Sequence, residues 1–318
     1  MAAPSGLTTS GVNGSGLNSR GLALALVSSL TFGASGVLAK PVMAAGVTPV
    51  QVTSARIGVA AVLLVAFVAV VRPRALRFTG REWWLPVGFG LFGVIGAPLL
   101  FFVAAARIPI GIAMLLEFTA PLLVALWVRF VRGTRLAGAV WWGMAVAVAG
   151  LAMVGEVWRS LQLDTVGVLA AMGSAVCTAA YYLLGEKAAG KHDPLGVLAV
   201  GMVVGAVVLA AVSPPWLVPA GQDTTLGPAW LLLLCLAFFA TAVSYLAGIF
   251  SLRALPSSAA SVIGLLEPVV ATGLAWWLLG EQLNAVQVLG AAVLLAGAAV
   301  VQVAGNRAAH VGEPLPVE

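Results

Sequence analysis

The chain is expected to fold as an all-α integral membrane protein with ten transmembrane helices arranged as two inverted five-helix repeats. Three observations carry that expectation. Of 318 residues, 61% are hydrophobic and only 8% charged, with a mean hydropathy of +1.08, whereas a soluble domain carries about 25% charged residues. The apolar runs are each about 20 residues long and lack the short alternation of barrel strands, so they span as helices. Finally, a gapless slide of 147 residues lays 108–152 onto 255–299, with Pro109 on Pro256, Pro121 on Pro268, Gly133 on Gly280, Gly143 on Gly290 and Gly150 on Gly297. Alanine and valine coincidences are cheap in so apolar a chain; five proline and glycine matches in one register mark internal repetition.

Residues 1–19, rich in Gly, Ser, Thr and Asn, read as a disordered tail. A cleaved signal peptide is not expected, because the first apolar run continues to Ala39 and the repeat needs that helix. The apolar segments fall at 21–39, 50–71, 84–104, 108–128, 137–155, 166–185, 195–213, 229–252, 255–279 and 284–303. The first repeat occupies 20–155, a polar linker 156–165, the second repeat 166–303 and a polar tail 304–318. The repetition reaches the front of each half, where Gly21 and Ser28 correspond to Gly167 and Ser174 at a shift of 146. Five helices per unit is an odd number, so the second unit enters the membrane from the opposite side.

Orientation is an independent check. With the N-terminus in the cytoplasm, twelve Lys and Arg fall inside, Arg135 and Arg307 among them, and three outside, namely Lys40, Arg107 and Arg159. That split obeys the positive-inside rule and places both termini in the cytoplasm. Tryptophans such as Trp83, Trp84, Trp141, Trp142, Trp276 and Trp277 fall near segment ends, as interfacial belts do. The net charge of +5 is therefore a matter of loop arginines and does not indicate nucleic-acid binding. Cys177 and Cys235 lie within apolar runs, away from any ligand-spaced partner, and read as small core residues.

Three ionisable residues lie within the spans: Arg56, Glu117 and Glu267. Each would cost about 2.5–3.5 kcal/mol at a helix centre, so each faces a cavity or a partner. At 1.5 Å per residue, Glu117 lies roughly 13 Å and Glu267 roughly 18 Å into their helices, both near the midplane. Arg56, only about 9 Å below the outer end of its helix, is expected to snorkel to the surface or to pair with Glu117. Pro121 and Pro268 break the intrahelical bonding beside these glutamates, freeing the carbonyls of Glu117 and Gly264 toward a ligand or water. The glutamates are not repeat equivalents: after the 147-residue shift they stand three positions apart on one face. Tyr181, Tyr182 and Tyr245 are the chain's tyrosines, all within spans, and either line the pathway or pack in the core. Ser28, Ser29 and Ser174 read as close-packing residues, as do Gly143, Gly150, Gly290 and Gly297 of segments 5 and 10. No P-loop is present to supply ATP drive.

The runs Pro109-Ile110-Gly111-Ile112-Ala113, Leu116-Glu117-Phe118-Thr119-Ala120-Pro121-Leu122, Leu266-Glu267-Pro268 and Leu279-Gly280-Glu281-Gln282-Leu283 resemble the EamA-type family of the drug/metabolite transporter superfamily. The stretch around Glu117, with Ala39-Lys40 and Ala55-Arg56, is most similar to its threonine/homoserine exporter branch. The resemblance spans about 20–303. It implies ten helices in two inverted units around a central cavity, and inner-membrane export of amino acids or related small metabolites. Arg56, Glu117 and Glu267 match residues typical of that branch. The second half carries Met202 and Val203 where Arg56 would repeat, which confines its role to one half.

The expected function is secondary export of small polar or zwitterionic metabolites by alternating access. Glu117 or Glu267 would meet an ammonium group or a proton, and Arg56 a carboxylate or Glu117. Proton exchange is the natural drive, and uniport is equally compatible. An exporter of cationic drugs is the alternative within the class, and a non-transporting scaffold subunit the alternative outside it. A membrane enzyme is disfavoured because His192 and His310 sit in a loop and the tail and the carboxylates are scattered singly. Expected partners are a small-molecule substrate, the lipid bilayer and protons, with a homodimer permitted; no cofactor, metal or nucleic acid is expected.

Overall fold

The computed structural model describes residues 19–311 apart from 79, 106, 109, 135, 157, 159–163, 220 and 281–283. Pro109, Arg135, Arg159, Glu281, Gln282 and Leu283, and residues 1–18 and 312–318 of the two tails, therefore lie outside the described residues.

Among the described residues, eight helical stretches are long and apolar enough to cross a membrane, and two shorter apolar helices complete a set of ten. In chain order these are α1 (Ser19–Ala44), α2 (Pro49–Val71), α3 (Trp84–Ala105), α4 in two pieces (α4a, Ile110–Glu117; α4b, Ala120–Phe130), α5 (Gly138–Val154), α6 (Thr165–Ala189), α7 (Pro194–Val212), α8 (Ala229–Ser251), α9 in two pieces (α9a, Ser257–Gly264; α9b, Leu266–Leu279) and α10 (Ala285–Val311). The class is all-α, as the composition implied. Helix ends differ from the sequence reading in places. α1 continues past residue 39 to Ala44, and α10 runs on to Val311 through the stretch read as a polar tail.

Local chemistry starts and stops these helices. Thr48 and Gln51 form a reciprocal capping box at the head of α2, with Pro49 in the first turn. Asp164 and Asp193 accept from the first turns of α6 and α7. Asn284 and Gln287 cap α10 reciprocally. Gly280 closes α9b in the left-handed conformation, φ 67°.

The two units interleave. α1 packs against α8 and α9, and its repeat counterpart α6 packs against α3 and α4. α5 and α10 form the most extensive helix pair. A Cβ on Gly143 would stand 2.9 Å from the Gly297 carbonyl, and one on Gly290 2.8 Å from that of Gly150. In lipid there is no hydrophobic drive between helices, so such backbone-to-backbone contact through small residues holds them together.

Each unit also widens one helix into a π segment: Phe89–Gly96 in α3 and Phe238–Val243 in α8. The two end at equivalent positions, 96 and 243, which differ by the same 147 residues. In α8 the hydroxyls of Thr241 and Ser244 donate to the carbonyls of Leu236 and Phe239, five residues back, at 2.8 and 2.9 Å. Side-chain insertion of this kind is an identifiable cause of a widened turn.

The α5–α10 contact generates a prediction. Gly150→Ala and Gly297→Ala should each destabilise the protein by about 1–3 kcal/mol, read as a lower melting temperature in detergent. Gly138→Ala, on the same helix but with open space around it, should leave the melt unchanged.

Candidate functional site

The bundle has two ends. The connections after α1, α3, α5, α7 and α9 lie at one, those after α2, α4, α6 and α8 at the other. A cavity of about 440 Å³ reaches the first end, where Lys40, Gly155 and Gln287 line its mouth. Its lining includes no described residue from the connections at the opposite end.

Every residue singled out from the sequence as a site candidate lines this cavity. Arg56 comes from α2, Glu117 and Pro121 from α4, and Glu267 and Pro268 from α9. Tyr181 and Tyr182 come from α6, and Tyr245 from α8. Both helices with the repeat-matched prolines are interrupted here, α4 at Phe118–Thr119 and α9 at Leu265. Pro121 sits in the first turn of α4b, where its missing N–H is harmless. Thr119 donates to the Leu116 carbonyl at 2.6 Å, and Ser29 of α1 donates to the Ile263 carbonyl at 3.1 Å. Side chains thus serve the backbone where the helices break.

The two glutamates differ in surroundings. Glu117 Oε1 lies 2.8 Å from the Ser174 hydroxyl and 3.5 Å from that of Thr178, both on α6. Among the described residues, Glu267 has neither a hydrogen-bond donor nor an ion-pair partner for its carboxylate, which faces the cavity. Glu267 Oε1 lies 3.7 Å from where a Cβ on Gly264 would stand, and Gly264 is the repeat counterpart of Glu117. Each unit therefore brings a carboxylate to a corresponding place, from positions one turn apart.

Arg56 does not reach the surface and makes no ion pair with Glu117; it is 2% exposed. The reason is packing: Val52 to Ile57 of α2 are all buried, so no face of that turn lies on the outer surface, and Arg56 turns to the cavity instead. Its Nη1 donates to Ser35 Oγ at 3.1 Å, and its guanidinium carbon lies 5.9 Å from the Phe102 ring centroid. Its Nε has no hydrogen-bond partner among the described residues.

The tyrosines both line the cavity and pack together. Tyr181 meets Tyr182 and Tyr245 edge-on, with ring centroids 5.0 and 5.7 Å apart. The Tyr245 hydroxyl donates to the carbonyl of Gly93 in the α3 π segment at 2.7 Å. Sequence reasoning missed Ser35 as the partner of Arg56, and Thr178 and Ser174 as partners of Glu117. Thr178 was findable, standing four residues after Ser174 on the same helical face. Nothing in the sequence points to Ser35.

At the end opposite the mouth the units are tied by charge. Arg132 pairs with Glu186 at 2.5 Å, and Glu186 also accepts from the backbone N–H and hydroxyl of Ser257 at the start of α9a, both at 3.1 Å. Arg72 pairs with Asp193 at 3.1 Å, and Lys187 sits 4.7 Å from the Trp84 ring centroid.

The EamA-like transporter family matches residues 19–155 and again residues 165–303. The chain belongs to this family. Within EamA-like proteins, it is 31% identical over 274 residues to the threonine/homoserine exporter RhtA of Salmonella typhimurium strain LT2, covering 86% of this chain and 87% of that protein. It is 30% identical over 246 residues to RhtA of Escherichia coli K12, covering 77% and 79%. The uncharacterized transporter YwfM of Bacillus subtilis is 26% identical over 214 residues, 65% of this chain and 70% of that one. A solved crystal structure shares the fold with a TM-score of 0.76 at 20% identity, covering 91% of this chain and 99% of that one.

A buried charge held this sparsely adds little to stability. Arg56→Met should leave the melting temperature unchanged or raise it; a clear fall would mean that Arg56 is a structural cation.

Proposed function

We propose that the protein is a secondary exporter of small zwitterionic amino acids of the threonine/homoserine kind, working by alternating access. The observation that carries this reading is the pairing of opposite charges in one cavity: Glu267, without a hydrogen-bond or ion-pair partner among the described residues, and the Arg56 guanidinium. An α-amino acid offers an ammonium group to the first and a carboxylate to the second. The apolar and aromatic lining, Phe32, Phe101 and Phe118 among it, lowers the local dielectric and strengthens both contacts. The two RhtA relatives, named as threonine/homoserine exporters at 30–31% identity, support the same substrate class.

Alternating access needs a cavity open at one end and a lock at the other. The ionic contacts of Arg132, Glu186 and Arg72 stand opposite the mouth and join the two units. The loop cations follow the same division: Arg72, Arg74, Lys191 and Arg253 all fall at the locked end. By the positive-inside rule that end faces the cytoplasm of a bacterial inner membrane, with both termini on that side, and the cavity opens outward. Breaking the lock while the mouth closes would present the same residues to the cytoplasm.

Two outcomes follow. Expression in a threonine-sensitive bacterial host should raise the tolerated concentration of threonine and homoserine. Glu267→Gln, removing a charged hydrogen bond of about 1.5–3 kcal/mol, should weaken apparent threonine affinity on the order of 10- to 100-fold. A scaffold would tolerate the change, and protection against organic cations alone would favour a drug exporter. Glu186→Ala should loosen the locked end. A Val128→Cys reporter, buried in the parent, should then react several-fold faster with a maleimide supplied from the cytoplasmic side. An unchanged rate would remove the lock.

A further inference from the structure

Ser28 and Ser174 are repeat counterparts, and they perform the same task across the interface between units. Ser28 of α1 donates to the carbonyl of Ser244 at 2.9 Å, and Ser174 of α6 donates to the carbonyl of Ala97 at 2.8 Å. Positions 97 and 244 are themselves counterparts, each the first residue after a π segment. Each unit's first helix thus holds the widened helix of the other unit at the same point.

The two copies differ in one respect. Ser174 Oγ also lies 2.8 Å from Glu117 Oε1, while Ser28, whose counterpart of Glu117 is Gly264, is hydrogen-bonded to no carboxylate among the described residues. A serine hydroxyl has one proton to donate and two lone pairs to accept. The copy whose serine bonds no carboxylate indicates where that proton goes: to the carbonyl. With Ser174 donating to Ala97, the short contact to Glu117 closes as a hydrogen bond when the carboxyl itself is the donor. A proton on Glu117 would let both short contacts of Ser174 be hydrogen bonds at once in the conformation whose cavity is open at the mouth.

We propose that Glu117 is the proton-coupling site of this transporter, and that Ser174 converts its protonation into a change at the α3–α6 contact. The inference rests on the transport reading above and divides the labour between the glutamates: Glu267 meets the substrate, Glu117 the proton. When Glu117 releases its proton to the cavity it becomes a pure acceptor. The Ser174 hydroxyl then turns from the Ala97 carbonyl to the carboxylate, and the tie between α6 and the end of the α3 π segment is lost. The Ser28–Ser244 tie, in which the serine bonds no carboxylate, stays intact, so only one half of the repeat responds to protons. The titratable and charged groups whose fields reach Glu117 are Arg56 from α2, Glu267 from α9b, Cys177 and Tyr182 from α6, and Tyr245 from α8.

The test uses the full chain in lipid nanodiscs. Infrared difference spectra taken across a pH step should contain a carboxylic-acid carbonyl band that vanishes in Glu117→Gln, persists in Glu267→Gln and shifts in frequency in Ser174→Ala. In proteoliposomes the rate of threonine exchange should vary with pH in the wild type, and the profile should be flat in Glu117→Gln whatever its absolute rate. A band that survives Glu117→Gln, a band unmoved by Ser174→Ala, or a wild-type pH profile in Glu117→Gln would each overturn the proposal. Absence of threonine exchange in the wild type would remove the substrate reading instead, and the infrared band would still decide the state of Glu117.

Discussion

Every backbone polar group in a membrane interior has to find its partner within the protein, and this structure depends on how it meets that requirement where its helices are irregular. α4 and α9 are interrupted; α3 and α8 are widened. The groups released there are served by side-chain hydroxyls, several from the opposite unit: Ser28 at Ser244, Ser29 at Ile263, Ser174 at Ala97 and Tyr245 at Gly93. The irregular segments therefore gather at the interface between the repeats, and the cavity lies among them. A regular ten-helix bundle would have no such place, because unbroken helices leave no backbone group to be shared.

On this symmetric frame the charges are set asymmetrically. The repeat puts two broken helices face to face, yet Glu117 and Glu267 occupy positions one turn apart and Arg56 has no counterpart. Glu117 is hydrogen-bonded into α6, Glu267 is open to the cavity, and Arg56 is held by Ser35 and Tyr245 beside the Phe102 ring. A symmetric pair of carboxylates would share one role. Different neighbours allow one to hold an ammonium group while the other handles a proton.

Much of this was legible in the sequence, and the rest was not for identifiable reasons. Apolar runs of span length located all ten helices, because hydrophobic length is the property the bilayer selects. Matched prolines and glycines revealed the repeat, since those residues mark backbone positions that alanine and valine do not. The intramembrane charges pointed to one cavity because isolated charges there need a reason. Arg56 was misplaced because depth along a helix says nothing about which neighbours cover it; the buried turn Val52–Ile57 decided that. The π segments and the carbonyls of Ala97 and Ser244 were invisible, since a carbonyl acceptor belongs to every residue type and leaves no trace in the sequence. Ser174 was recognised as the twin of Ser28 but read as a packing residue, because its partner Glu117 lies on another helix.

The central claim is that one cavity between the repeats holds a zwitterion between Glu267 and Arg56. A structure of the full chain in lipid, determined by electron cryomicroscopy with saturating L-threonine, tests it most directly. The account predicts ligand density in the cavity, its ammonium group within hydrogen-bond distance of the Glu267 carboxylate and its carboxylate within reach of the Arg56 guanidinium. Density elsewhere, or a cavity that stays empty while threonine is transported, would contradict it.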